Sequence, residues 1–461
     1  MEERSLKFVA EACGAEIRAL VGATTVKNVC TDSRQAQPGD LFFAIRGEKH
    51  DGHDFLEEVA AKKVAAVMIE RKKMPAKLPE CSVLLVDDAR AALGKLAAAY
   101  RKQFDVLVIA VAGSNGKTTT KELLASILKQ KMPTLASEAS FNNDIGVPLT
   151  LLRLEKSHRA AVVEVGTNHP GELAPLVRMV QPKYGVLTNI GREHLEFFGD
   201  LDGVAREEGW LAELLPADGT LFVNGDNEWT EEIVQRTKAK VVRVGLGKQN
   251  EWRAEKVRLD KNGATFRIAT VKEKFCGEYR IQLLGRHQVV NALLSAAVGE
   301  EPGLGRAEIQ RGLAEGKPAK MRMQFWEANG IRVLDDAYNA NADSMLAALE
   351  TLCDLPLQGR RVAVLGEMNE LGAQSEAAHA EIGRRAAELE IGQLFAVGRM
   401  APVMAKAARA AGLMRVMEFE NVETARSAVK NFLKPGDVVL IKASRASRLE
   451  RIVETLKAEK V

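Results

Sequence analysis

The sequence contains little cysteine, and its cysteines are spaced in a way that excludes their usual structural roles. There are five in 461 residues, they lie far apart, and no two form a CxxC pair. Disulfide frameworks use even numbers of cysteines, and zinc sites group them closely. We therefore expect thiols in a cytoplasmic protein that folds without disulfides or zinc.

Charge of one sign and long apolar runs are also missing. Lys and Arg number 65 and Asp and Glu 62, a formal net charge of +3. Nucleic-acid binders usually carry a clear basic excess, so we expect no nucleic-acid partner. No apolar run approaches the roughly 18 residues of a membrane span, and the N-terminus lacks the apolar stretch of a secretory signal. We therefore expect no membrane insertion.

What is present is a long chain of alternating strand and helix patterns. At about 150 residues per domain, the length predicts three domains. The alternation is typical of α/β folds with parallel sheets. We predict a small mixed α/β domain at 1–102, a central P-loop parallel-sheet domain at 103–316 and a C-terminal Rossmann-like α/β domain at 317–461.

Short apolar, β-branched runs give the clearest strand predictions. Residues 251–284 alternate apolar and polar side chains between glycine turns, which predicts antiparallel strands there. The buried parallel strands are predicted at 105–112, 160–165, 184–188, 220–224, 331–335, 361–365, 393–397 and 438–442.

The sharpest motif is AVAGSNGKTTTKE, which lies between a predicted strand and a predicted helix. Gly113 and Gly116 let backbone N–H groups close around phosphate oxygens, and the helix adds its positive N-terminal end. Lys117 would reach the β- and γ-phosphates, and Thr118 would offer its hydroxyl to Mg²⁺. The usual spacing requires glycine two residues before Gly113, where this chain has valine, so the loop is a variant. The alternative is a glycine turn that only caps the helix.

The loop GSNGKTTTKE resembles the ATP loop of the Mur ligases, the ATP-dependent amide ligases of peptidoglycan precursor synthesis. Nearly the whole chain follows the family in order, through the blocks TDSRQAQPGDLFFAIRG, SFNNDIGVPLTLL, EVGTNHPGEL, TNIGREHLEFFG, DDAYNANADSM, VLGEMNELG and VLIKASR. The DDAYNAN and FNNDIGVP blocks are most similar to the members that join D-alanyl-D-alanine to UDP-N-acetylmuramoyl-tripeptide.

The resemblance implies a reaction that uses ATP and Mg²⁺. The γ-phosphoryl group passes to the tripeptide carboxylate, and the dipeptide amine captures the acyl phosphate. The partners would be these two small molecules, and we expect a monomer. Three alternatives stay open: a sibling ligase that adds another amino acid, a folylpolyglutamate-type ligase, and a nucleotide-gated binding module without amide synthesis. The folylpolyglutamate type resembles only the second and third domains.

The resemblance also implies site residues. ATP contacts are expected from Gly113, Ser114, Asn115, Gly116, Lys117, Thr118, Thr119, Asn291 and Arg322. Catalytic roles are expected for Lys117, Glu164, His194, Arg322 and Asp336. Simpler interpretations exist, since an aspartate before a helix is often an N-cap and an early helical asparagine is often a packing residue.

Substrate contacts are expected in polar loops. The N-terminal turn around Arg34 offers a fork that can pair with phosphate, and the loop after the last strand offers a site for the dipeptide carboxylate. The candidate substrate-binding residues are Ser33, Arg34, Gly47, Asn142, Asn143, Asn339, Ser444 and Arg445.

The chain departs from the family at one metal position. The resemblance implies Mg²⁺ ligands at Thr118, Glu164 and His194, and a carbamylated lysine fourteen residues after the histidine. That position holds Glu208, and no lysine occurs between Lys183 and Lys238. We hypothesise that Glu208 supplies the carboxylate, with a water bridging the shorter side chain to the metal. The alternatives are the neighbouring Glu207, or a solvated surface acid in the run REE.

Overall fold

A computed structural model of the chain describes residues 1–356 and 358–458, which form two compact units. The first unit holds Met1–Ala110, Met132–Gly166 and Glu172–Lys183, and the second holds Val111–Lys131, Thr167–Gly171 and the chain from Tyr184 onward. Helices and strands alternate in both units, so the predicted α/β class is confirmed.

A five-stranded sheet forms the N-terminal part of the first unit. Its order is Glu16–Ala19, Ser82–Val86, Ala66–Glu70, Asp40–Phe43 and Asn28–Cys30. All neighbours are parallel except the first pair. The inward-facing apolar side chains of these strands, among them Phe42, Val67 and Val83, are fully buried, because strands covered on both faces carry continuous apolar runs.

The first unit also contains a second pair of strands. Thr134–Ala136 and Ala160–Glu164 run parallel, so Glu164 stands at a carboxyl end. The strand Leu107–Ala112 begins in the first unit and ends in the second. The helices are Leu6–Cys13, Leu56–Ala61, Ala89–Arg101, Gly146–Leu151 and Leu173–Val180; the 3₁₀ turns are Ser33–Gln35, Gly52–Phe55 and Arg71–Lys73; Arg4–Ser5 pairs with Thr25–Val26.

Six consecutive strands of the second unit follow one another across a sheet. They are Tyr184–Leu187, Thr220–Asn224, Lys240–Gly245, Trp252–Asp260, Gly263–Thr270 and Gly277–Ile281. The first four strands run parallel to one another. Trp252–Asp260, Gly263–Thr270 and Gly277–Ile281 pair antiparallel in turn, which confirms the antiparallel prediction for 251–284. The helices of this part are Lys117–Lys129, Leu195–Phe198, Leu201–Glu208, Trp210–Glu213, Thr230–Val234, Arg286–Glu300 and Arg306–Glu315, with a 3₁₀ turn at Glu273–Phe275.

The C-terminal sheet also belongs to the second unit. Its order is Gln324–Ala328, Ile331–Asp336, Val438–Lys442, Arg361–Leu365, Gln393–Val397 and Val416–Phe419, with only the first strand antiparallel. The helices here are Ala342–Asp354, Ser375–Glu388, Ala401–Ala410, Val422–Phe432 and Glu450–Lys457, with 3₁₀ turns at Gly372–Gln374 and Arg445–Ser447. Because the chain's last strand lies beside Ile331–Asp336, the ends Asp336 and Lys442 are register partners.

Among the described helices, none combines the length and apolar character that a membrane crossing requires.

Candidate active site

The phosphate loop is pressed against its neighbours so closely that its two glycines are required. Gly113 and Gly116 have φ of +112° and +87°, in the region that side chains disfavour. A Cβ on Gly113 would lie 2.4 Å from Thr188 Oγ1, and one on Gly116 would lie 2.6 Å from Asn291 Oδ1. The helix Lys117–Lys129 begins directly after the second glycine. The loop therefore has the strand–glycine turn–helix form of a phosphate cradle.

Asn189 holds the shape of this loop, and the sequence did not single it out. Its side-chain oxygen accepts a hydrogen bond from Asn115 N at 2.8 Å, and its carbonyl accepts one from Ser114 N at 2.9 Å. Ser114 Oγ in turn accepts from Gly191 N at 2.9 Å. The only sequence signal was its place directly after a predicted strand.

The first turn of the following helix is oriented as an anion site. Thr118 and Thr119 are buried in that turn, and the first N–H groups of a helix have no acceptor within the helix. Negative charge is stabilised at such an end. This fits the predicted contacts of Thr118 and Thr119 with ATP.

Asn291 braces the loop from the helix Arg286–Glu300. It is buried, and its amide donates to Gln288 Oε1 at 2.8 Å. Burial lowers the pKa of the adjacent His287 to about 4. The structure thus places Asn291 against Gly116, while its contact with adenine stays a prediction.

Two buried carboxylates meet the lysine of the loop. Lys117 Nζ donates to the carbonyl of Gly113 at 2.5 Å and lies 3.5 Å from Glu193 Oε2. Glu208 ends its helix fully buried, and its Oε2 accepts from Gly113 N at 2.8 Å. Burial raises the pKa of Glu208 well above its usual range, and the Glu193 carboxylate within hydrogen-bonding reach raises it further. The interpretation of Glu208 as a solvated surface acid is therefore wrong.

The sequence carried different signals for Glu207, which precedes Glu208, and for Glu193. Glu207 turns away from the loop, because its carboxylate accepts from Gly171 N at 2.9 Å and lies 3.5 Å from Thr167 Oγ1. Glu193 was missed, and its only signal was an acid next to the predicted ligand His194.

His194 is held by a residue from the C-terminal part of the second unit. Its Nδ1 lies 2.5 Å from Glu370 Oε2, and the carbonyl of Glu370 accepts from Glu196 N at 2.9 Å. Both His194 and Glu370 have positive φ, +46° and +62°. Such strain persists only where surrounding contacts enforce it. The hydrogen bond from His194 lowers the pKa of Glu370. The sequence did not identify Glu370, which lies 176 residues from its partner.

The arginine before these residues ties the same loop to two C-terminal helices. Arg192 Nε and its backbone N each donate to the Asp343 carboxylate at 2.7 Å, and Nη1 donates to Glu381 at 2.6 Å. Its side chain is 25% exposed. The arrangement keeps the segment that carries Glu193 and His194 in one position.

Glu164 lies in the first unit with an amide beside it. Its Oε1 accepts from Asn142 Nδ2 at 3.0 Å, while Asn143 Oδ1 accepts from Gly146 N at 2.9 Å. Both asparagines were predicted to bind substrate. In the structure Asn142 orients Glu164, and Asn143 holds the start of a helix.

The carboxylates fit the chemistry of Mg²⁺. Among the described residues, no three His, Cys, Asp or Glu side chains gather into a ready metal site. However, five carboxylate oxygens of the described residues are buried without a hydrogen-bond partner, and they include Glu193 Oε1 and Glu208 Oε1 of the second unit and, in the first unit, Glu164 Oε2. Mg²⁺ binds oxygen and commonly takes one or two carboxylates, with phosphates and waters completing its shell. A buried oxygen that lacks a partner is costly unless such a cation satisfies it.

The C-terminal sheet places a lysine on the predicted Asp336. Lys442 Nζ donates to Asp336 Oδ2 at 2.6 Å and to the carbonyl of Asn339 at 3.0 Å. Asp336 Oδ1 accepts from Met323 N at 3.0 Å. The following helix is capped by Asn341, whose side chain accepts from Ser344 N, so the interpretation of Asp335 or Asp336 as an N-cap is wrong.

Arg322 stacks on an aromatic ring in the same region. Its guanidinium carbon lies 4.3 Å from the centre of the Tyr338 ring. The preceding Met321 has φ of +57°, a conformation that glycine adopts more easily. A guanidinium that stacks on a ring through its face can still donate hydrogen bonds from its edge to an anion.

The N-terminal substrate candidates belong to the first unit. Arg34 makes a fork on Asp32 with distances of 2.9 and 2.7 Å, which lowers the pKa of Asp32 to about 2. Ser33 is buried, and its carbonyl accepts from Lys62 at 2.7 Å. Gly47 N donates to the carbonyl of His50 at 2.8 Å. The side chain of Arg34 is 85% exposed, so it can exchange its carboxylate partner for a ligand phosphate.

The C-terminal substrate candidates divide into a structural residue and two surface residues. Ser444 is buried, donates to the carbonyl of Ala340 at 3.1 Å and accepts from Asn369 N at 2.9 Å. Arg445 lies 3.5 Å from Glu450 and is more than half exposed, and Asn339 is exposed. Of the three, Arg445 and Asn339 are the ones open to a ligand.

Comparisons with known proteins agree along nearly the whole chain. Family models match three successive segments: the Mur ligase family catalytic domain over 25–101, the Mur ligase middle domain over 111–299 and the Mur ligase glutamate ligase domain over 321–445. The UDP-N-acetylmuramoyl-tripeptide–D-alanyl-D-alanine ligase of Escherichia coli (strain K12) is 36% identical over 440 residues, 94% of each chain.

Solved structures give the same result. A crystal structure of MurF from Acinetobacter baumannii is 32% identical and superposes with a TM-score of 0.92 over 100% of both chains. MurF ligase from Thermotoga maritima in complex with ADP is 26% identical, with a TM-score of 0.81 over 94% of this chain and 97% of that one.

Proposed function

The chain belongs to the Mur ligase family, and we infer from this membership and from the site how its residues divide the work of the reaction. It is an ATP-dependent ligase that joins D-alanyl-D-alanine to UDP-N-acetylmuramoyl-tripeptide in peptidoglycan precursor synthesis. The single structural observation that carries the function is the glycine loop that closes on Lys117 directly before a helix N-terminus.

The reaction must first turn a carboxylate into an electrophile. We propose that a tripeptide carboxylate oxygen attacks the γ-phosphorus of ATP, the bond to the β-phosphate oxygen breaks, and ADP leaves. The product is an acyl phosphate. Because this transfer involves little covalent chemistry by the protein, positioning and charge stabilisation supply most of the catalysis.

The loop holds the triphosphate in this step. Lys117 points along the loop and would exchange its contact with the Gly113 carbonyl for the β- and γ-phosphates. The N-terminal N–H groups of its helix, including those of Thr118 and Thr119, provide partial positive charge. The backbone N–H groups of Ser114 and Asn115 are bound to Asn189, which fixes the shape of the loop.

Divalent metal is the proposed cofactor. Mg²⁺, when bound, screens the phosphate charges and polarises the γ-phosphoryl group. Thr118, His194 and Glu208 are the residues of the second unit that we propose as its ligands. Glu164 is proposed as a ligand from the family resemblance, and its buried, unpartnered Oε2 fits that role.

The second half of the reaction makes the amide. The dipeptide amine attacks the acyl carbon, the bond from carbon to the phosphate oxygen breaks, and inorganic phosphate leaves as the amine loses its proton. We propose that Arg322 stabilises the γ-phosphate and that Asp336, held by Lys442, lies beside the nucleotide. Ser33, Arg34 and Gly47 are proposed for the nucleotide-sugar end, and Asn339 and Arg445 for the dipeptide carboxylate.

Three further statements are proposals of the same kind. We place the work of the enzyme in the cytoplasm, where ATP is available, and we expect a monomer. We also keep domain boundaries of 1–102, 103–316 and 317–461, which are supported by the three family segments that fall within them.

Phosphate release tests the function. We expect the purified enzyme to release phosphate only when ATP, UDP-N-acetylmuramoyl-tripeptide and D-alanyl-D-alanine are all present, and to form an amide product whose mass is that of the two joined substrates less the mass of water. Lys117→Ala should reduce the rate at least about a hundredfold, with an unchanged circular dichroism spectrum. Full activity in that variant would contradict the loop assignment.

The same assay separates the alternatives. A nucleotide-gated binding module would bind ATP and form no amide. A sibling ligase would form an amide with a single amino acid in place of the dipeptide, and a folylpolyglutamate-type ligase would use glutamate.

A further inference from the structure

Glu193 and Glu208 form a carboxylate pair under the phosphate loop. Their relative exposures are 4% and 0%. Each carboxylate has one oxygen with a partner, since Glu208 Oε2 accepts from Gly113 N at 2.8 Å and Glu193 Oε2 lies 3.5 Å from Lys117 Nζ. Each also has an Oε1 that is buried and has no hydrogen-bond partner. The two carboxylates lie within hydrogen-bonding reach of each other, and each has one buried oxygen without a partner.

The local charge does not balance. Two buried carboxylates interact with the ammonium of Lys117, which also donates to the carbonyl of Gly113. Isolated charges are costly to bury, and two carboxylates in one place add repulsion to that cost. A positive group bound to the two oxygens would relieve this cost, and a proton and a divalent cation are the two candidates.

We propose that Glu193 is a ligand of the divalent cation in this pocket and that it acts as a pair with Glu208. This deepens the proposed function and rests on its Mg²⁺. No lysine occurs between Lys183 and Lys238, so none on the helix of Glu208 can carry a carbamate. The Glu208 side chain is short and is bound to the loop backbone, so a second carboxylate from the segment before His194 supplies the reach that Glu208 lacks.

The position of Glu193 fits this role. Arg192 is bound to Asp343 and Glu381, and His194 to Glu370. The residue between them is therefore fixed on both sides, with its carboxylate directed at Lys117. A ligand that is held in place loses little conformational entropy when a metal binds.

Binding of Mn²⁺ tests the proposal, because Mn²⁺ takes the same oxygen ligands and is visible by electron paramagnetic resonance. The full-length protein is titrated with Mn²⁺ in the presence of a non-hydrolysable ATP analogue. We expect Glu193→Gln to weaken Mn²⁺ binding at least tenfold, and Glu193→Asp, which keeps the charge, to restore part of it. Thermal unfolding of each variant checks that the fold is kept.

Glu207→Gln is the matched control. It removes a buried carboxylate on the same helix that faces Gly171 rather than the loop, so its Mn²⁺ affinity should stay within twofold of wild type. If Glu193→Gln binds Mn²⁺ as tightly as wild type while Glu164→Gln does not, the pair is held by a proton, and the proposal is overturned with the proposed metal site intact. If wild type with nucleotide binds no Mn²⁺, the metal part of the proposed function is overturned as well.

Discussion

At the scale of single residues, the site depends on positions that leave no room for a methyl group. Gly116 has a positive φ, and a Cβ attached to it would lie 2.6 Å from Asn291 Oδ1. Neither fact is visible in the sequence, which shows only that a glycine is present. The conformation and the contact together explain why the residue after the loop's asparagine has no side chain.

Substituting Gly116 tests this account. Gly116→Ala should lower the free energy of unfolding by about 2–4 kcal/mol, because it combines the strain of a left-handed backbone with the collision. It should also weaken binding of an ATP analogue. Urea unfolding and calorimetric titration measure the two effects. Gly171→Ala is the control, with φ of +89° and open space around its Cβ position; an equal loss in both variants would contradict the packing argument.

The depressed pKa of His287 predicts a pH dependence of stability. With a folded pKa of about 4, His287 stays neutral in the fold while the unfolded chain takes up a proton below about pH 6.5. Its contribution is thus complete above pH 6.5 and is lost as the pH falls toward 4. Between pH 7 and pH 4, the free energy of unfolding measured in urea should fall more in wild type than in His287→Gln. The difference between the two falls should be at most about 3 kcal/mol. Parallel curves for the two proteins would show that the fold does not lower the pKa of His287.

At the scale of elements, the sequence predicted the buried strands well. The strands Thr220–Asn224, Arg361–Leu365, Gln393–Val397 and Val438–Lys442 lie at their predicted bounds, because continuous apolar runs between helices are typical of parallel strands. The edge strand Gln324–Ala328 was missed, since its mixed side chains are only partly buried. An edge strand needs less apolar character than a central one.

The active site was predicted less completely than the sheets, for a physical reason. The glycine loop and its lysine are contiguous in sequence, so their pattern was readable. Glu193, Glu370 and Asn189 act through partners that only the fold brings near, such as the 176 residues between His194 and Glu370. Tertiary pairing of this kind leaves no local periodicity to detect.

Arg192 supports a prediction about the loop that carries the missed residues. Because it is half-buried and makes charged hydrogen bonds to Asp343 and Glu381, Arg192→Ala should lower the free energy of unfolding by about 2–3 kcal/mol. Chemical denaturation measures it. Arg385→Ala removes a surface arginine paired with Glu350 and Glu388 and should cost less than about 1 kcal/mol. If both variants lose the same free energy of unfolding, the ion pairs of Arg192 contribute no more than surface ion pairs do.

At the scale of the whole molecule, the chain has Glu208 at the position where the family resemblance implies a lysine carbamylated by CO₂. Since the carboxylate at position 208 is encoded directly, we expect the ligase rate to be the same in CO₂-depleted buffer and with added bicarbonate. The phosphate-release assay measures this rate. If bicarbonate stimulates the wild-type enzyme and the rate of Glu208→Ala is unchanged, the hypothesis that Glu208 replaces the carbamate is contradicted.

The most direct test of the central claim follows one oxygen atom through the reaction. UDP-N-acetylmuramoyl-tripeptide labelled with ¹⁸O in its reacting carboxylate is incubated with the enzyme, ATP and D-alanyl-D-alanine, and the released phosphate is analysed by mass spectrometry. If ATP activates the carboxylate as an acyl phosphate, each phosphate carries one ¹⁸O atom. Phosphate without the label, formed together with the amide, would contradict the account.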